Sequence, residues 1–269
     1  MRLLLPVVFA ALALAETPFP PHKIAGNLYY TGSVENASYL VTTPQGHILI
    51  NPSFEESVPL IEAAVSKLGF KFTDIKILLT SHAHGDHIAG CAAAVEKSGA
   101  RVMIMTGDEE IVRTGGDGDF QYTERFKPCR VGRVLKDNDT VELGGSKLTA
   151  RLTPGHTRGC TTWTMRVAEH GKELLAVIVG SPNVNPGYRL VNNDQYPSIA
   201  ADFRKAFAVW KSIPADLFLG AHGAYYGLEE KYPRLGRGPN PFIDPQGYRN
   251  YIESKEKEFE TKLAAQKEN

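Results

Sequence analysis

The chain places four potential metal ligands within six residues, in the stretch Ser81-His82-Ala83-His84-Gly85-Asp86-His87. The apolar run Ile75–Thr80 before it predicts a buried strand, so the motif begins where that strand ends. Several imidazoles and a carboxylate are costly to bury without partners, whereas both groups are good zinc ligands. His82 and His84 alternate along the chain and can aim at one point, while Asp86 and His87 follow the bend. The motif therefore predicts two adjacent metal ions; a histidine-rich surface loop is the alternative.

Two further histidines have the setting of remote ligands to the same site. His156 lies between two predicted strands in Pro154–Thr157, and His222 follows a third strand in Leu219–Gly223. A lone histidine between strands is usually structural, but two at strand ends beside glycine are better explained as ligands that complete the site. The other histidines show no comparable setting and are expected to be surface or packing residues: His22, His47 and His170.

The composition is that of a globular protein without excess charge. The 269 residues carry 30 Lys and Arg against 30 Asp and Glu, and 42% of them are apolar. This length suits one large domain or two small ones and can bury a sizeable core, and these fractions exclude disordered and fibrous classes. Zero net charge argues against a general nucleic-acid binder, and three cysteines exclude a disulfide-dense scaffold. We expect a monomer that acts on a small molecule and binds no nucleic acid.

The first 15 residues have the pattern of a secretory signal peptide. Arg2 precedes the apolar run Leu3–Leu14, and Ala13–Ala15 offers small residues at both positions of a cleavage site. The run is too short to span a bilayer, and a buried N-terminal helix is the alternative. Removal of residues 1–15 leaves 29 basic and 30 acidic side chains in residues 16–269, a net charge of −1. Without a later membrane-length apolar run, the mature protein is expected to be periplasmic or secreted, away from the membrane.

Strands and helices alternate through both halves of the chain. Ala37–Val41 and His47–Ile50 predict a hairpin, and Val58–Leu68 and Ile88–Ser98 have helical patterns. This order fits sheets packed between helical layers in one domain. The glycine-rich stretch Thr114–Tyr122 lacks clean periodicity and is expected to be a loop over the groove of the site.

With its two remote histidines, the His-x-His-x-Asp-His motif resembles the metallo-β-lactamase superfamily. Its members are metal-dependent hydrolases with an α/β fold, a four-layer αβ/βα sandwich. Three longer stretches resemble the third subclass of class B β-lactamases: Thr153–Trp163, Gly180–Val191 and Asn240–Pro245. At position 181 this chain has a serine, as that subclass does, whereas other relatives have a metal-bridging Asp or a Cys ligand there. The resemblance therefore implies one metallo-β-lactamase domain over residues 16–269.

The resemblance implies a site with two Zn²⁺ ions and three protein ligands on each. The ligands form two sets: His82, His84 and His156 for the first zinc, and Asp86, His87 and His222 for the second. The implied reaction is hydrolysis of the β-lactam amide of penicillins, cephalosporins and carbapenems by a metal-bridging hydroxide that Asp86 helps to orient, which confers antibiotic resistance. Structural zinc sites have closed four-ligand shells, which disfavours a non-catalytic zinc-binding module. The remaining alternative is an exported dizinc hydrolase of another ester, lactone or amide, with only weak β-lactamase activity.

Three other side chains are candidates for roles around the zinc ions. Tyr188 is the candidate donor of a hydrogen bond to the developing oxyanion, with packing after the Pro-Gly turn as the alternative. Ser181 and Asn183 are candidates to bind the substrate carboxylate or a water near the second zinc. For Asn183, a purely local role in the turn is the alternative.

The cysteines depart from the pattern of that subclass. Its members often have a disulfide between two positions that hold Ala215 and Tyr248 in this chain. Cys91, Cys129 and Cys160 lie elsewhere, and none of them has ligand spacing. An odd number in an exported protein leaves at least one cysteine free or paired between chains.

Overall fold

A computed structural model describes residues 16–268, whose strands form two sheets. The seven strands of the first sheet lie side by side in chain order: β1 (His22–Ala25), β2 (Leu28–Tyr30), β3 (Tyr39–Thr43), β4 (Gly46–Ile50), β5 (Ile75–Leu79), β6 (Arg101–Met105) and β7 (Arg133–Leu135). The second sheet contains β8 (Thr140–Leu143), β9 (Ser146–Leu152), β10 (Thr161–Glu169), β11 (Lys172–Val179) and β12 (Leu217–Gly220). Its spatial order is β12-β11-β10-β9-β8, with β12 parallel to β11 and the other pairs antiparallel.

Helices follow the strands and cover the outer faces of the sheets. In chain order they are α1 (Val58–Lys67), α2 (Gly85–Ile88), α3 (Cys91–Ser98), α4 (Glu109–Thr114), α5 (Ile199–Ser212), α6 (Leu228–Lys231) and α7 (Pro245–Lys267). The longest, α7, begins with the carboxylate of Asp244 accepting a hydrogen bond from the backbone N–H of Gly247 at 2.8 Å. Such a cap satisfies one of the free amides of the first turn.

The side chains of the strands alternate between two apolar cores. Leu79 of β5 faces the core between the sheets, whereas its neighbour Leu78 faces the core formed with α1, α3 and α4. Outside the second sheet, Phe203 of α5 stacks on Phe259 of α7 with ring centroids 5.2 Å apart. The order of layers is helices, sheet, sheet, helices, so the predicted αβ/βα sandwich is confirmed.

The predicted helix Ile88–Ser98 is divided in the structure. The turn α2 ends at Ile88, and α3 begins only at Cys91. Gly90, between them, approaches another loop so closely that a Cβ atom would lie 2.5 Å from the carbonyl oxygen of Pro52. The amide of Gly90 donates to the carbonyl of Ser53 at 2.7 Å rather than to the carbonyl of Asp86, and this long-range contact, which periodicity does not reveal, accounts for the break.

The cysteines pair within the chain. Cys91, at the start of α3, forms a disulfide with Cys129, and Cys160 is buried and free. No helix within residues 16–268 is long and apolar enough to cross a membrane. The predicted signal peptide, residues 1–15, lies outside the described residues.

The loops that carry the predicted ligands leave the sheets at one edge of the molecule. Hydrogen bonds between the two sheets hold the loop after β5 at the point where it begins. Trp163 Nε1 of β10 donates to the carbonyl of Thr80 at 2.9 Å, and the amide of Thr161 donates to the carbonyl of Ser81 at 2.7 Å. The side chain of Asn51, after β4, accepts from the amide of Ser81 at 2.7 Å. The motif is therefore anchored to both sheets at the point where it begins.

Candidate metal centre

Three imidazoles meet between the ends of β5 and β9, and we call them the first cluster. His82 and His84 come from the loop after β5 and His156 from the loop after β9, and one ring nitrogen of each lies within 4.8 Å of the others. All three are buried, with exposed fractions of 1%, 8% and 4%. The structure thus brings together the three residues predicted for the first zinc.

A second cluster lies directly beside the first. The Nε2 atoms of His87 and His222 are 3.1 Å apart, and Asp86 Oδ2 lies 3.2 Å from the former and 3.6 Å from the latter. The rings of His82 and His87 have centroids 4.2 Å apart, which makes the two clusters neighbours. The residues predicted for the second zinc therefore also converge, although His222 is far from the other two in sequence.

The environment of both clusters favours the metal-binding protonation states. Burial lowers the pKa of His84 and of His222 to about 4, and it holds the pKa values of His82 and His156 well below 6.5. Burial opposes ionisation of Asp86, but His87 and its other histidine neighbours outweigh this and hold the pKa of that carboxyl below its usual range. Neutral imidazoles and an ionised carboxylate are the forms that bind metal ions.

Hydrogen bonds turn the remote imidazoles toward the centre. His156 Nδ1 donates to the carbonyl of Asn183 at 2.8 Å, and His222 Nδ1 donates to the carbonyl of Glu35 at 3.1 Å. A proton held on Nδ1 leaves the lone pair on Nε2, the atom that faces the clusters. These backbone carbonyls select the tautomer that a metal ligand requires.

Two buried ring nitrogens of the clusters have no hydrogen-bond partner among the described residues. These atoms are His84 Nε2 and His87 Nδ1. Buried polar groups normally have hydrogen-bond partners. Two unpartnered ring nitrogens beside other converging nitrogen and oxygen donors therefore fit a centre that holds metal ions. Histidine nitrogen with carboxylate oxygen is a donor set suited to zinc.

Asp108 ties together the two loops that form the first cluster. One oxygen, Oδ2, accepts from the amide of Ala83 at 2.9 Å and from Thr157 Oγ1 at 2.7 Å, while Oδ1 accepts from the amide of Gly159 at 2.7 Å. Burial raises the pKa of Asp108 to about 6. Sequence reasoning missed this residue, and its only signal is an acidic side chain shortly after strand β6, at the edge where the ligand loops emerge.

The clusters lie at the floor of a pocket of about 330 Å³, here called the metal pocket. One wall is the segment 116–126, which contributes Asp119, Tyr122, Glu124 and Phe126, and the opposite wall includes Asn183, Asn185 and Tyr225. The walls meet where Asn185 Nδ2 donates to the hydroxyl of Tyr122 at 2.8 Å. The stretch predicted as a loop over the groove, Thr114–Tyr122, supplies part of the first wall. Sequence reasoning did not single out Tyr122 or Tyr225, because aromatic residues in loops carry no distinctive pattern.

The candidates around the zinc ions take different positions. The hydroxyl of Tyr188 is buried and donates to the carbonyl of His156 at 2.8 Å, outside the lining of the metal pocket. Ser181 is buried as well, with its Oγ 3.1 Å from the hydroxyl of Tyr225. Asn183 lines the metal pocket and donates from Nδ2 to the same Tyr225 hydroxyl at 2.8 Å. Of the three candidates, only Asn183 is in contact with the pocket in this conformation.

A family model and the solved structures that resemble the chain identify the same protein family. Residues 32–168 match the model of the metallo-beta-lactamase superfamily. The chain is similar to the native FEZ-1 metallo-beta-lactamase from Legionella gormanii, with 50% identity, a TM-score of 0.93, and coverage of 94% of this chain and 99% of that one. It is also similar to the class B3 di-zinc metallo-beta-lactamase LRA-12 from an Alaskan soil metagenome, with 33% identity, a TM-score of 0.88, and coverage of 95% and 98%. The predicted resemblance to the third subclass is confirmed.

Curated relatives match over a shorter segment. Hydroxyacylglutathione hydrolase from Rhodopseudomonas palustris is 30% identical over 123 residues, which are 46% of this chain and 40% of that protein. The match thus spans less than half the length of these curated relatives, whereas the solved structures match almost end to end.

Proposed function

Because the chain belongs to the metallo-beta-lactamase superfamily of hydrolases, we propose that it hydrolyses the amide bond of β-lactam antibiotics with two zinc ions, one in each cluster. One observation carries the proposal: the chain is 50% identical to a solved metallo-beta-lactamase over 94% of its length. The two adjacent clusters, each made of three converging candidate ligands, support the two-ion centre.

Three side chains of the pocket have different roles in such a reaction. Zinc, when bound, supplies a Lewis acid and a source of hydroxide near neutral pH. Ionised Asp86 is placed at the floor to accept a hydrogen bond from the attacking water and so to orient it. Asn183 and Tyr225 are neutral donors that line the same pocket as Asp86 and His222, and they are suited to hold the ring carboxylate that β-lactam drugs share. Orienting groups of this kind lower the barrier by holding the reacting atoms in place.

The test is metal analysis combined with a substrate panel on purified residues 16–269. We expect about two zinc ions per chain, in line with a two-metal site, and turnover of a chromogenic cephalosporin. Chelator is expected to abolish turnover and added zinc to restore it. A zinc-loaded protein that turns over no penicillin, cephalosporin or carbapenem would overturn the proposal.

A second candidate activity is hydrolysis of a hydroxyacyl thioester. It is favoured by the matches to hydroxyacylglutathione hydrolases over 46% of the chain. The same panel therefore includes a hydroxyacyl thioester of glutathione and simple lactones. A specificity constant for a thioester or lactone that exceeds those for all β-lactams would assign the chain to this second activity.

We also propose that the protein is exported and acts as a monomer, and that it confers β-lactam resistance. The Cys91–Cys129 disulfide supports export, because such bonds persist in oxidising compartments and are rare in the cytosol. Expression of the full chain in a bacterium, followed by fractionation, is expected to yield a periplasmic or secreted protein that begins at Glu16. The producing cells should also tolerate higher drug concentrations. Recovery of the uncleaved chain in the cytoplasm would overturn the export proposal, and light scattering of the purified protein tests its monomeric state.

A further inference from the structure

The charged side chains that line the metal pocket are all acidic in the described part of the chain. They are Asp86, Asp119 and Glu124, and no Lys or Arg lines the pocket. A neighbouring cleft that shares His222 has a similar lining, with no Lys or Arg and with three acids: Glu35, Glu229 and Glu230. An anionic substituent beyond the ring carboxylate therefore meets no Lys or Arg among the side chains that line the metal pocket and this cleft.

The three acidic side chains of the metal pocket differ in their hydrogen bonds and ion pairs. Asp86 belongs to the second cluster, and Asp119 Oδ1 accepts from the amides of Gln121 and Tyr122 at 2.8 Å and 2.7 Å. The carboxylate of Glu124 is exposed and has neither a hydrogen bond nor an ion pair with the described residues. Glu124 is thus the acid of the pocket that is free to meet a substrate.

The carboxylate of Glu124 lies beside the metal-binding motif. A Cβ atom added to Gly85, between two of the predicted ligands, would lie 3.1 Å from Glu124 Oε2. The backbone around Glu124 is held in place, since Arg125 Nη1 donates to the carbonyl of Gly116 at 2.8 Å and the amide of Phe126 donates to the carbonyl of Gly115 at 3.0 Å. The Glu124 carboxylate therefore lies at the mouth of the pocket near the metal-binding motif, on a backbone that is held in place, while the side chain itself is free to rotate.

Apolar side chains also line the metal pocket, and Phe126 lies near Glu124, since a Cβ atom on Gly116 would lie 3.3 Å from Phe126 Cε1 and 2.4 Å from the carbonyl oxygen of Glu124. Phe54, Ile111 and Phe126 belong to the lining. A ring packed among such side chains gains from the removal of apolar surface from water, while a charge beside an opposite charge gains Coulomb energy. The end of the pocket near Glu124 combines both features in one place.

We propose that this end of the pocket selects β-lactams whose acyl side chain joins an aromatic ring to a protonated amine, and that Glu124 is the specificity-determining residue. The inference rests on the proposed β-lactamase function and deepens it by naming the preferred substituent. The amine meets the Glu124 carboxylate, and the ring packs among the apolar lining. A carboxylate at the same place on the acyl side chain is repelled by Glu124 and, with the same sign, by Asp119.

The test uses three penicillins that share a phenyl acyl side chain and differ only in its α-substituent. Benzylpenicillin has no charge there, ampicillin has a protonated amine, and carbenicillin has a carboxylate. We expect kcat/KM to fall in the order ampicillin, benzylpenicillin, carbenicillin, mainly through KM. Glu124→Gln is expected to lower the ampicillin-to-carbenicillin ratio about 10-fold, since two opposite contributions are lost, and 0.5 M salt should lower the wild-type ratio by screening.

Matched variants and a binding measurement keep the outcomes distinct. Glu253→Gln removes the same charge from an exposed site on α7 outside the metal pocket and should leave the ratio unchanged, whereas Glu124→Lys should reverse the order. NMR titration of the metal-free protein, which cannot turn over the drugs, should show the same order of affinities. Turnover of all three penicillins with a ratio that Glu124→Gln does not change would overturn this inference alone. Absence of turnover for every β-lactam would instead overturn the proposed function.

Discussion

The two clusters of the metal centre differ in how deeply they are buried and in what supports them. The first cluster is almost inaccessible, with His82 at 1%, His84 at 8% and His156 at 4% exposure. In the second cluster His87 is fully buried, but the side chains of Asp86 and His222 retain exposures of 31% and 27%. Buried Asp108 cross-ties the loops of the first cluster. The second cluster depends on polar contacts near the surface.

Those surface contacts come from the start of the described chain. Glu16 Oε1 accepts from Asn36 Nδ2 at 2.6 Å and lies 3.1 Å from Ser53 Oγ, which is also 3.1 Å from the carbonyl of Asp86. Glu35, whose carbonyl orients His222, has its carboxylate held by the hydroxyl of Thr17 at 2.8 Å. The difference teaches that Asp108 in the core supports the first cluster, whereas residues at the start of the described chain support the second. We therefore expect the second zinc to bind more weakly.

The largest expected effect comes from removing one histidine from each cluster in turn. His156→Ala removes a ligand from the buried cluster, so turnover should fall at least about 1,000-fold as several kcal/mol of charge stabilisation are lost. His222→Ala should lower occupancy of the second zinc while the first stays bound. Metal analysis of each variant, beside exposed His170→Ala as control, checks this. Full retention of both metals in His222→Ala would contradict the ligand assignment.

Acid should destabilise the metal-free protein chiefly through the first cluster. The pKa of His84 is about 4 in the folded protein and about 6.5 in the unfolded chain, so the unfolded chain binds protons first as the pH falls. Stability is therefore complete above pH 6.5 and declines toward pH 4, with a loss of about 2 kcal/mol from His84 alone between pH 7.5 and 5. Chemical denaturation of metal-free protein at both pH values measures it. A free energy of unfolding that is flat or rises on acidification would refute the prediction.

Asp108→Asn tests the cross-tie beneath the first cluster. The substitution places an amide NH₂ among groups that all donate, so at least one hydrogen bond to a ligand loop is lost. A loss of about 10- to 100-fold in zinc affinity or activity is expected, as for other residues that orient metal ligands. Competition with a zinc-binding dye measures the affinity, and exposed Asp194→Asn is the control. Unchanged affinity for both ions would remove Asp108 from the support of the centre.

The smallest expected effect concerns Glu16. Glu16→Gln keeps the shape of the side chain but weakens the charge-assisted hydrogen bonds to Ser33, Asn36 and Ser53, each worth about 1.5–3 kcal/mol when a charged group is involved. Because Glu16 reaches the second cluster only indirectly, through Ser53 and through Asn36 beside Glu35, we expect less than about a 10-fold change, confined to the affinity of the second zinc. A competition series at both sites, with exposed Glu56→Gln as control, detects it. An equal effect on both ions would show that the clusters share their support.

The ligands could be predicted because each one is marked by its chain neighbours. Four of them follow one strand within a few residues, and His156 and His222 each follow a strand end beside glycine. Strands of a sandwich deliver their ends to a common edge, so position along the chain predicted position in space. The prediction for Tyr188 shows the limit of such local signals. A tyrosine after a Pro-Gly turn suggested a hydrogen-bond donor to the substrate, but its hydroxyl donates to the carbonyl of His156.

By itself the sequence indicated sheets between helical layers, the six candidate ligands and two adjacent metal ions, because apolar periodicity and strand-end positions are local properties of the chain. The αβ/βα sandwich and the division of the ligands into two sets were implied by the resemblance to the metallo-β-lactamase superfamily. Only the tertiary structure decided the Cys91–Cys129 pairing, the role of Asp108 between two ligand loops, and the place of Glu124 at the mouth of the metal pocket. Each of these joins segments that are distant in sequence, and packing of the layers rather than any local preference brings such segments together.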